Sequence, residues 1–323
     1  MKALLSRAAL FVAASLACGI AVAQTAVPVD KRPVRLVIPF SAGGQLDALG
    51  RYFGEKISTI LDVPVVVDNR AGASGMIAGT YVVNQPADGK TLFFTTGGPV
   101  SIAPSLHKKM AYDPAADLTG VAMVADMPMA LIVRPDSPYK TMGDLLADAR
   151  ARPGKISIGN TGIGAVSHLA TELLSQQLNV NFIQVPYQTT TTITDLLGGQ
   201  LDVLSTSATS VETMVTAKKL RPLATFSQKR LPTMNSAPTV AETTGAKGLE
   251  FPVWLGVMVR KGTPAAVTAK LSSALLEVCA MPETTTRFRD IIVCAGPQQF
   301  DQVIADDARR WSETIARTNI KVE

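Results

Sequence analysis

The chain has 323 residues, a formal net charge of +5, 47% hydrophobic residues and 18% charged residues. This length predicts two domains, each with enough apolar residues to bury a core of its own. The charge is modest and spread along the sequence, which does not indicate nucleic acid as a partner. The chain holds two histidines, His107 and His168, so it is poor in the usual metal ligands, and we expect neither a metal nor a cofactor.

Residues 1–23 have the features of an export signal. Two basic residues accompany an apolar run at residues 8–22, and Ala21-Val22-Ala23 before Gln24 is typical of a cleavage site. Cys18 suggests a lipoprotein as the alternative, but Ser15 stands where a lipobox usually has leucine. We therefore expect cleavage after Ala23, a periplasmic location and a soluble mature chain.

The first motif of the mature chain is a glycine turn between a strand and a helix. Residues 34–38 form a short apolar run, and Pro39 ends it because proline has no N–H for a strand ladder. Gly43-Gly44 permits a tight turn, and the apolar spacing of residues 46–61 predicts an amphipathic helix. The free N–H groups at such a helix start suit an anion. The alternative is a tight connection without a ligand.

A second glycine turn follows the same plan. Residues 155–159 predict a strand, Asn160-Thr161-Gly162-Ile163-Gly164 predicts the turn, and residues 166–178 predict a helix. Two such turns in separate α/β units would face each other across a cleft and share one anion. Ser167 and His168 are not a hydrolase pair, because neighbours on a helix point about 100° apart. For His168 we favour packing or positioning of the helix over catalysis.

The remaining elements alternate between strands and helices. Strands are predicted at residues 63–68, 91–95, 130–133, 182–187, 202–204, 223–226 and 251–260, and helices at residues 76–83, 141–150, 264–280 and 301–318. The order strand, helix, strand, helix, strand over residues 34–95 predicts a parallel sheet with helices on its faces, and a ligand beyond the carboxyl ends of its strands. The chain is expected to pass between domains twice, which gives a first domain of residues 24–125 and 251–323 and a second domain of residues 126–250.

Two cysteines remain after cleavage, Cys279 and Cys294. In an oxidising compartment an even pair indicates one disulfide, and a loop of this length predicts a stabilisation of about 3 kcal/mol. The alternative is two buried free thiols.

Several motifs together resemble the Bug/TctC family over essentially the whole mature chain. They are Pro39-Phe40-Ser41-Ala42-Gly43-Gly44 with Asp47, residues 65–75, residues 87–92, Gly159-Asn160-Thr161-Gly162 with Ser167-His168-Leu169, Val185-Pro186-Tyr187, residues 195–202, residues 238–242 and Gly262-Thr263-Pro264. The family comprises extracytoplasmic solute receptors of tripartite tricarboxylate transporters. The resemblance implies an α/β fold of the periplasmic binding protein type II-like class, in which two α/β domains close on a small carboxylate held by the two glycine turns, partly through water.

The expected binding site follows from these motifs. Gly43, Gly44, Thr161 and Gly162 would donate backbone N–H groups to the carboxylate. Hydroxyl groups would come from Ser41, Thr95, Thr161, Ser167, Thr206 and Ser207, and apolar walls from Phe40, Tyr187 and Trp254. Ala42, Thr96 and Asn160 complete the predicted site. Two alternatives stay open: Asp47 contacts the ligand or only stabilises its helix start, and the threonine run at residues 189–194 contacts the ligand or only caps a helix.

We expect a monomeric receptor that binds a di- or tricarboxylate, a hydroxy acid or an aromatic acid and delivers it to the membrane subunits of a transporter, without catalysis. Where family members often have an acidic or amide residue, this chain has Ser205-Thr206, which argues against a ligand with an ammonium group. The rival functions are a periplasmic sensor that presents its ligand to a signalling protein and, with less support, an enzyme acting on small acids.

Overall fold

The fold is described from a computed structural model, which covers residues 31–187, 191–251, 253–288 and 291–318. The expected export signal at residues 1–23 and part of the threonine run, Thr189 and Thr190, lie outside the described residues. The described chain forms two mixed sheets of six and five strands with helices packed against them. The fold is the expected one, two α/β lobes with a cleft between them. The domain boundaries proposed from the sequence stay a prediction.

The first sheet has the strand order β11-β4-β10-β3-β1-β2. Its strands are β1 (Val34–Ile38), β2 (Val65–Asn69), β3 (Thr91–Thr96), β4 (Leu118–Asp126), β10 (Trp254–Arg260) and β11 (Ile292–Ala295). β1 is parallel to β2 and β3, as expected, whereas β10 runs antiparallel to β3 and β4. The parallel arrangement predicted for residues 34–95 is therefore confirmed, and a strand from the end of the chain returns in the opposite direction between β3 and β4.

The second sheet has the order β7-β6-β8-β5-β9. Its strands are β5 (Met129–Val133), β6 (Ser157–Asn160), β7 (Ile183–Pro186), β8 (Val203–Ser207) and β9 (Arg221–Thr225). β6 is parallel to β7 and β8, whereas β5 is antiparallel to β8 and β9. Each sheet thus has a core of three parallel strands whose carboxyl ends lie at one edge.

The helices connect these strands. They are α1 (Gln45–Leu61), α2 (Met76–Val83), α3 (Ala103–Leu106), α4 (Pro114–Asp117), α5 (Met142–Ala151), α6 (Val166–Gln177), α7 (Thr192–Leu197), α8 (Ala208–Thr216), α9 (Val240–Thr244), α10 (Ala265–Ala280), α11 (Pro282–Arg287) and α12 (Pro297–Thr318). A π-helical turn, Gly98–Ile102, follows β3. Among the described helices, none combines the length and hydropathy needed to cross a membrane.

The apolar stripe of α1 fixes this helix on the first sheet. Leu49, Phe53 and Ile57 are each at most 1% exposed and share a core with β1. Gly50 faces the sheet, where an added Cβ would lie 2.6 Å from the Ile38 side chain. The helix therefore approaches β1 closely, and this close packing fixes where the loop between them begins and ends.

Two chain segments pass between the sheets side by side. β4 ends at Asp126 and β5 begins at Met129, and the Met127 amide donates to the Val253 carbonyl on the returning segment (2.9 Å). α12 packs along both lobes, because Trp311 near its end stacks on Phe251 with ring centroids 5.3 Å apart. The connection is thus short, and a long helix supports it.

Cys279 of α10 and Cys294 of β11 form a disulfide, as expected, with their Cα atoms 6.4 Å apart. The bridge ties α10 to an edge strand of the first sheet. It is a structural element of the first lobe, at the sheet edge opposite β2.

Candidate functional site

The first glycine loop (residues 39–44) joins the carboxyl end of β1 to α1. Its last residue, Gly44, is the N-cap of α1, and no side chain caps the helix. Gly43 has φ of +84°, a conformation that favours glycine, and no atom lies within 4 Å of an added Cβ there. The loop therefore presents an uncapped helix start beside open space.

The Asp47 carboxylate accepts a hydrogen bond from the Gly43 amide. The Gly43 N–H donates to Asp47 Oδ2 (2.9 Å), and the same carboxylate accepts hydrogen bonds from Arg51 and Asn69. Asp47 is 4% exposed. Burial alone would raise the pKa of Asp47, but the hydrogen bonds from Arg51, Gly43 and Asn69 outweigh burial and hold this pKa below its usual range. In this conformation Asp47 stabilises the loop, and the Gly43 N–H is engaged within the protein.

The second glycine loop (residues 161–165) joins β6 to α6, whose start also has no side-chain cap. The Thr161 N–H donates to Ser167 Oγ (2.9 Å), and the Gly162 N–H donates to Asn160 Oδ1 (3.2 Å). These two predicted ligand donors are therefore also engaged within the protein. The His168 N–H donates to the Ala165 carbonyl (3.0 Å), so within the first turn the N–H groups of Val166 and Ser167 are better placed to serve an anion.

His168 supports the second loop from the first turn of α6. Its Nδ1 accepts a hydrogen bond from the Gly164 amide (3.2 Å), and its Nε2 lies 3.8 Å from Glu172 Oε1. Burial lowers the pKa of His168, and only a neutral ring can accept at Nδ1. His168 thus has a positioning role, and it holds its loop four residues upstream as Asp47 holds Gly43.

A third helix start contributes hydroxyl groups. α8 begins directly after β8, with Ser207 as its N-cap and no side-chain cap to the backbone. Ser207 Oγ lies 2.8 Å from Thr209 Oγ1, and Thr206 Oγ1 lies 3.2 Å from Ser210 Oγ. We call residues 205–209 the hydroxyl segment. Hydroxyl groups both donate and accept, so this segment adapts to carboxylate or hydroxyl groups of a ligand.

Two hydrogen bonds join the lobes at these loops. Gln45 Nε2 at the start of α1 donates to Thr209 Oγ1 of the hydroxyl segment. Ser74 Oγ donates to the carbonyl of Ile163 in the second glycine loop (3.1 Å). These contacts bring the first glycine loop, the second glycine loop and the hydroxyl segment together where the two lobes meet.

The loop that carries Ser74 is strained. Residues 72–75 all have positive φ, and two of them, Ala73 (46°) and Ser74 (51°), are not glycines. Such backbone costs about 1–3 kcal/mol per residue and tends to occur at functional sites. The strain therefore occurs in the loop that touches the opposite lobe.

The other predicted residues fall into two groups. Phe40 is 38% exposed, and Ser41 and Ala42 are also exposed. Thr95 is fully buried on β3, and Thr96 Oγ1 accepts from the Gly98 amide (3.4 Å), so both hydroxyls serve the fold here.

Tyr187 and Trp254, the other two expected walls, differ in position. The Tyr187 carbonyl would lie 3.6 Å from a Cβ added at Gly162, which places Tyr187 beside the second loop. Trp254 is 1% exposed, packs edge-on against Phe300 and donates to Asp307 (2.8 Å). The prediction that Trp254 forms a cleft wall was wrong, because α12 covers its indole.

Five residues at these loops were not predicted as site residues from the sequence: Gln45, Arg51, Asn69, Ser74 and Thr209. Asn69 and Ser74 stand within a quoted motif, but nothing in the motif shows that they bind other loops. Gln45 and Thr209 are 164 positions apart, so their contact depends on how the lobes meet. Among the described residues, no group of three or more His, Cys, Asp or Glu side chains is arranged to hold a metal ion.

Two α/β lobes with helix starts at the cleft between them are typical of periplasmic solute-binding proteins. A model of the family described as tripartite tricarboxylate transporter family receptor matches residues 49–320. Protein BugT of Bordetella pertussis is 30% identical over 328 residues, covering 100% of this chain and 99% of BugT. The chain therefore belongs to the TctC family of receptors.

Solved structures agree with this assignment. The periplasmic binding protein BugD has a TM-score of 0.83 and 34% identity, with coverage of 91% of this chain and 99% of BugD. Rpa4515 of R. palustris with adipate has a TM-score of 0.84 and 31% identity, covering 90% of this chain and 99% of that chain. MatC of Rhodopseudomonas palustris with bound malate has a TM-score of 0.80 and 27% identity, covering 88% and 99%. Proteins of this family thus include carboxylate-binding members.

Proposed function

We propose that this protein is a periplasmic receptor that closes on a small carboxylic acid and delivers it to the membrane subunits of a tripartite tricarboxylate-type transporter. The observation that carries the proposal is the meeting of three uncapped helix starts, those of α1, α6 and α8, at one interlobe cleft. Membership of the receptor family and the neighbours with adipate and malate support it.

The donors for the acid are neutral. Uncapped first turns offer N–H groups and the positive end of a helix dipole, which together favour an anion. Hydroxyl groups of Ser41, Thr161 and Ser207 lie in or beside the same loops. Because the amides of Gly43, Thr161 and Gly162 are engaged, we assign direct donation to Gly44 and the helix starts, with ordered water bridging the rest.

We propose further that the ligand lacks an α-ammonium group. A buried ammonium needs a carboxylate or several carbonyl acceptors, since an unpaired buried charge is very costly. Asp47 accepts from Gly43, Arg51 and Asn69, and Asp202 accepts from the Ser157 amide and hydroxyl. A dicarboxylate, hydroxy acid or aromatic acid therefore fits better than aspartate or glutamate.

Asp195 is a further carboxylate near the second loop, on the side of Tyr187. Burial and a hydrogen bond to Asp195 raise the pKa of Tyr187, so this carboxylate is occupied by the Tyr187 hydroxyl. It is not free to receive an ammonium group unless Tyr187 turns away. A Tyr187→Phe variant that gained amino acid binding would identify Asp195 as such a partner.

We propose binding without catalysis. Ser167 Oγ accepts from the Thr161 amide and His168 Nδ1 accepts from the Gly164 amide, so neither atom is arranged to activate the other. We also propose export by the signal at residues 1–23, the domain boundaries given above, and a monomeric receptor.

The test is ligand identification followed by a matched screen. Native mass spectrometry of protein purified from the periplasm without refolding detects a co-purified acid directly. Thermal-shift measurements then compare aspartate with malate and succinate, and glutamate with 2-hydroxyglutarate and glutarate. An acid at 100 times its Kd should add about 2.7 kcal/mol to the free energy of unfolding. Stabilisation by aspartate or glutamate, with no response to the deaminated acids, adipate, citrate or aromatic acids, would refute the proposed ligand class. Turnover of any bound acid would refute the absence of catalysis.

A further inference from the structure

Two side chains clamp the first glycine loop from both ends. The Asn69 Nδ2 group donates to the Phe40 carbonyl (3.0 Å) and to Asp47 Oδ1 (3.0 Å). At the other end of the loop, the Gly43 amide donates to Asp47 Oδ2 (2.9 Å). The Phe40 carbonyl and the Gly43 amide are therefore linked through Asn69 and Asp47, which come from a strand end and a helix turn.

Arg51 closes this network. Its Nε donates to Asp47 Oδ2 (3.0 Å), and its terminal nitrogen donates to Asn69 Oδ1 (3.1 Å). We call Asp47, Arg51 and Asn69 the clamp. Both carboxylate oxygens of Asp47 and both polar atoms of the Asn69 amide thus have hydrogen-bond partners within the clamp or the loop that it holds. Arg51 also compensates the negative charge of Asp47, which would otherwise repel an anion bound beside Gly43.

We propose that Asp47, Arg51 and Asn69 are positioning residues that hold the first glycine loop in its ligand-binding form without touching the ligand. A loop with Gly43 in a left-handed conformation beside open space has other accessible states. Holding it in one state removes an ordering cost from binding. The inference rests on the proposed carboxylate function for its effect on affinity, but the clamp itself is testable without any ligand.

The first experiment measures loop order in protein without added acid. The exchange of the Gly43 amide hydrogen with solvent is followed by NMR in wild type, Asp47→Ala, Asp47→Asn and Asn69→Ala. We expect faster exchange in Asp47→Ala, because the amide loses its acceptor. Exchange in Asp47→Asn should stay nearer to wild type, since the Asn amide oxygen still accepts from Gly43.

The second experiment measures affinity for adipate and malate by calorimetry on the same variants. Asp47→Ala should bind about tenfold more weakly, a loss of about 1.4 kcal/mol, and Asp47→Asn should recover part of it. The matched control is Asp148→Ala on α5, because Asp148 also pairs with an arginine four residues later, Arg152, with a distance of 2.7 Å from Arg152 Nε to Asp148 Oδ1. This control should lower thermal stability and leave affinity unchanged.

Three results would overturn the proposal. Lost affinity with unchanged Gly43 exchange in Asp47→Ala would mean that Asp47 contacts the ligand directly. Faster exchange with unchanged affinity would mean that loop order does not limit binding. Equal losses of affinity in Asp47→Ala and Asp148→Ala would mean a general effect of stability. If Asp47→Ala does not fold, Asn69→Ala and Arg51→Ala provide the same comparisons. If wild type binds neither acid, the choice of ligand fails, and Gly43 exchange alone decides on the clamp.

Discussion

Adding one methyl group at Gly43 tests whether the open space beside this residue is where the ligand binds. An alanine at φ of +84° meets no atom within 4 Å, so the fold has room for the methyl group. The left-handed conformation costs an L-residue about 1–2 kcal/mol, so Gly43→Ala should lose about that much stability. The methyl group would occupy the space that we assign to a carboxylate oxygen, so affinity should fall at least tenfold, which is about 1.4 kcal/mol.

Gly245 provides a matched control for this substitution. It follows α9 with φ of +69°, and again no atom lies within 4 Å of an added Cβ. Gly245→Ala should therefore lose a similar amount of stability without any change in affinity. Comparing the two variants separates the cost of the backbone conformation from the cost of blocking the ligand.

The assay is thermal unfolding with and without the acid identified by native mass spectrometry. At 100 times the wild-type Kd, the acid should stabilise wild type and Gly245→Ala by about 2.7 kcal/mol. For Gly43→Ala with a tenfold higher Kd, the same concentration should add only about 1.4 kcal/mol. Equal stabilisation of all three proteins would refute our placement of the ligand beside Gly43.

Three further predictions concern closure and pH. Gln45→Ala and Thr209→Ala should each weaken ligand binding, because each removes the same interlobe hydrogen bond of about 1 kcal/mol. The double variant should therefore lose less binding free energy than the sum of the two single variants. Additive losses measured by calorimetry would contradict this prediction. Burial lowers the pKa of His168, so the contribution of His168 to stability is present above its ordinary pKa of about 6.5 and is lost as the pH falls through the lower folded pKa. Ligand affinity should fall over the same pH range. A His168→Gln variant whose pH profile matches that of wild type would contradict this prediction. Burial raises the pKa of Asp126 to about 6, so wild type should lose about 3 kcal/mol of stability between pH 3.8 and pH 7.5 relative to Asp126→Asn. The measurement is the free energy of unfolding of both proteins from denaturant curves. A difference in this free energy that stays constant over the pH range would refute the burial argument.

Local patterns were sufficient to predict most elements of the fold. The strand–turn–helix units at residues 34–61 and 155–178 depend on neighbouring residues, and the structure places β1, α1, β6 and α6 there. Local patterns did not predict the directions of β10, which arrives from the far end of the chain, or of β5, because strand direction depends on how distant segments pair. β4 was missed as well, although its residues include the apolar run Val121–Ala125.

The site was predictable at the level of loops and less so at the level of atoms. Gly43 and Gly162 do lie in left-handed turns at the cleft, with φ of +84° and +126°. The sequence does not show that side chains of the protein already accept hydrogen bonds from the amides of Gly43 and Gly162. That outcome depends on the rotamers of Asp47 and Asn160 and on the approach of Asn69 from β2, which are tertiary facts.

The internal bonds of the two glycine loops change how a receptor with neutral donors should achieve affinity. A loop amide bonded to Asp47 or Asn160 does not pull on the ligand directly, but it fixes the direction of the helix start beside it. We therefore expect the starts of α1 and α6 to be fixed in direction before an acid arrives, so that less conformational entropy is lost on binding. Neutral donors also carry a smaller desolvation cost than Lys or Arg side chains. If the proposed function holds, preorganised dipoles would hold the acid while the interlobe contacts at Thr209 and Ile163 are made, and the acid would leave when these contacts open.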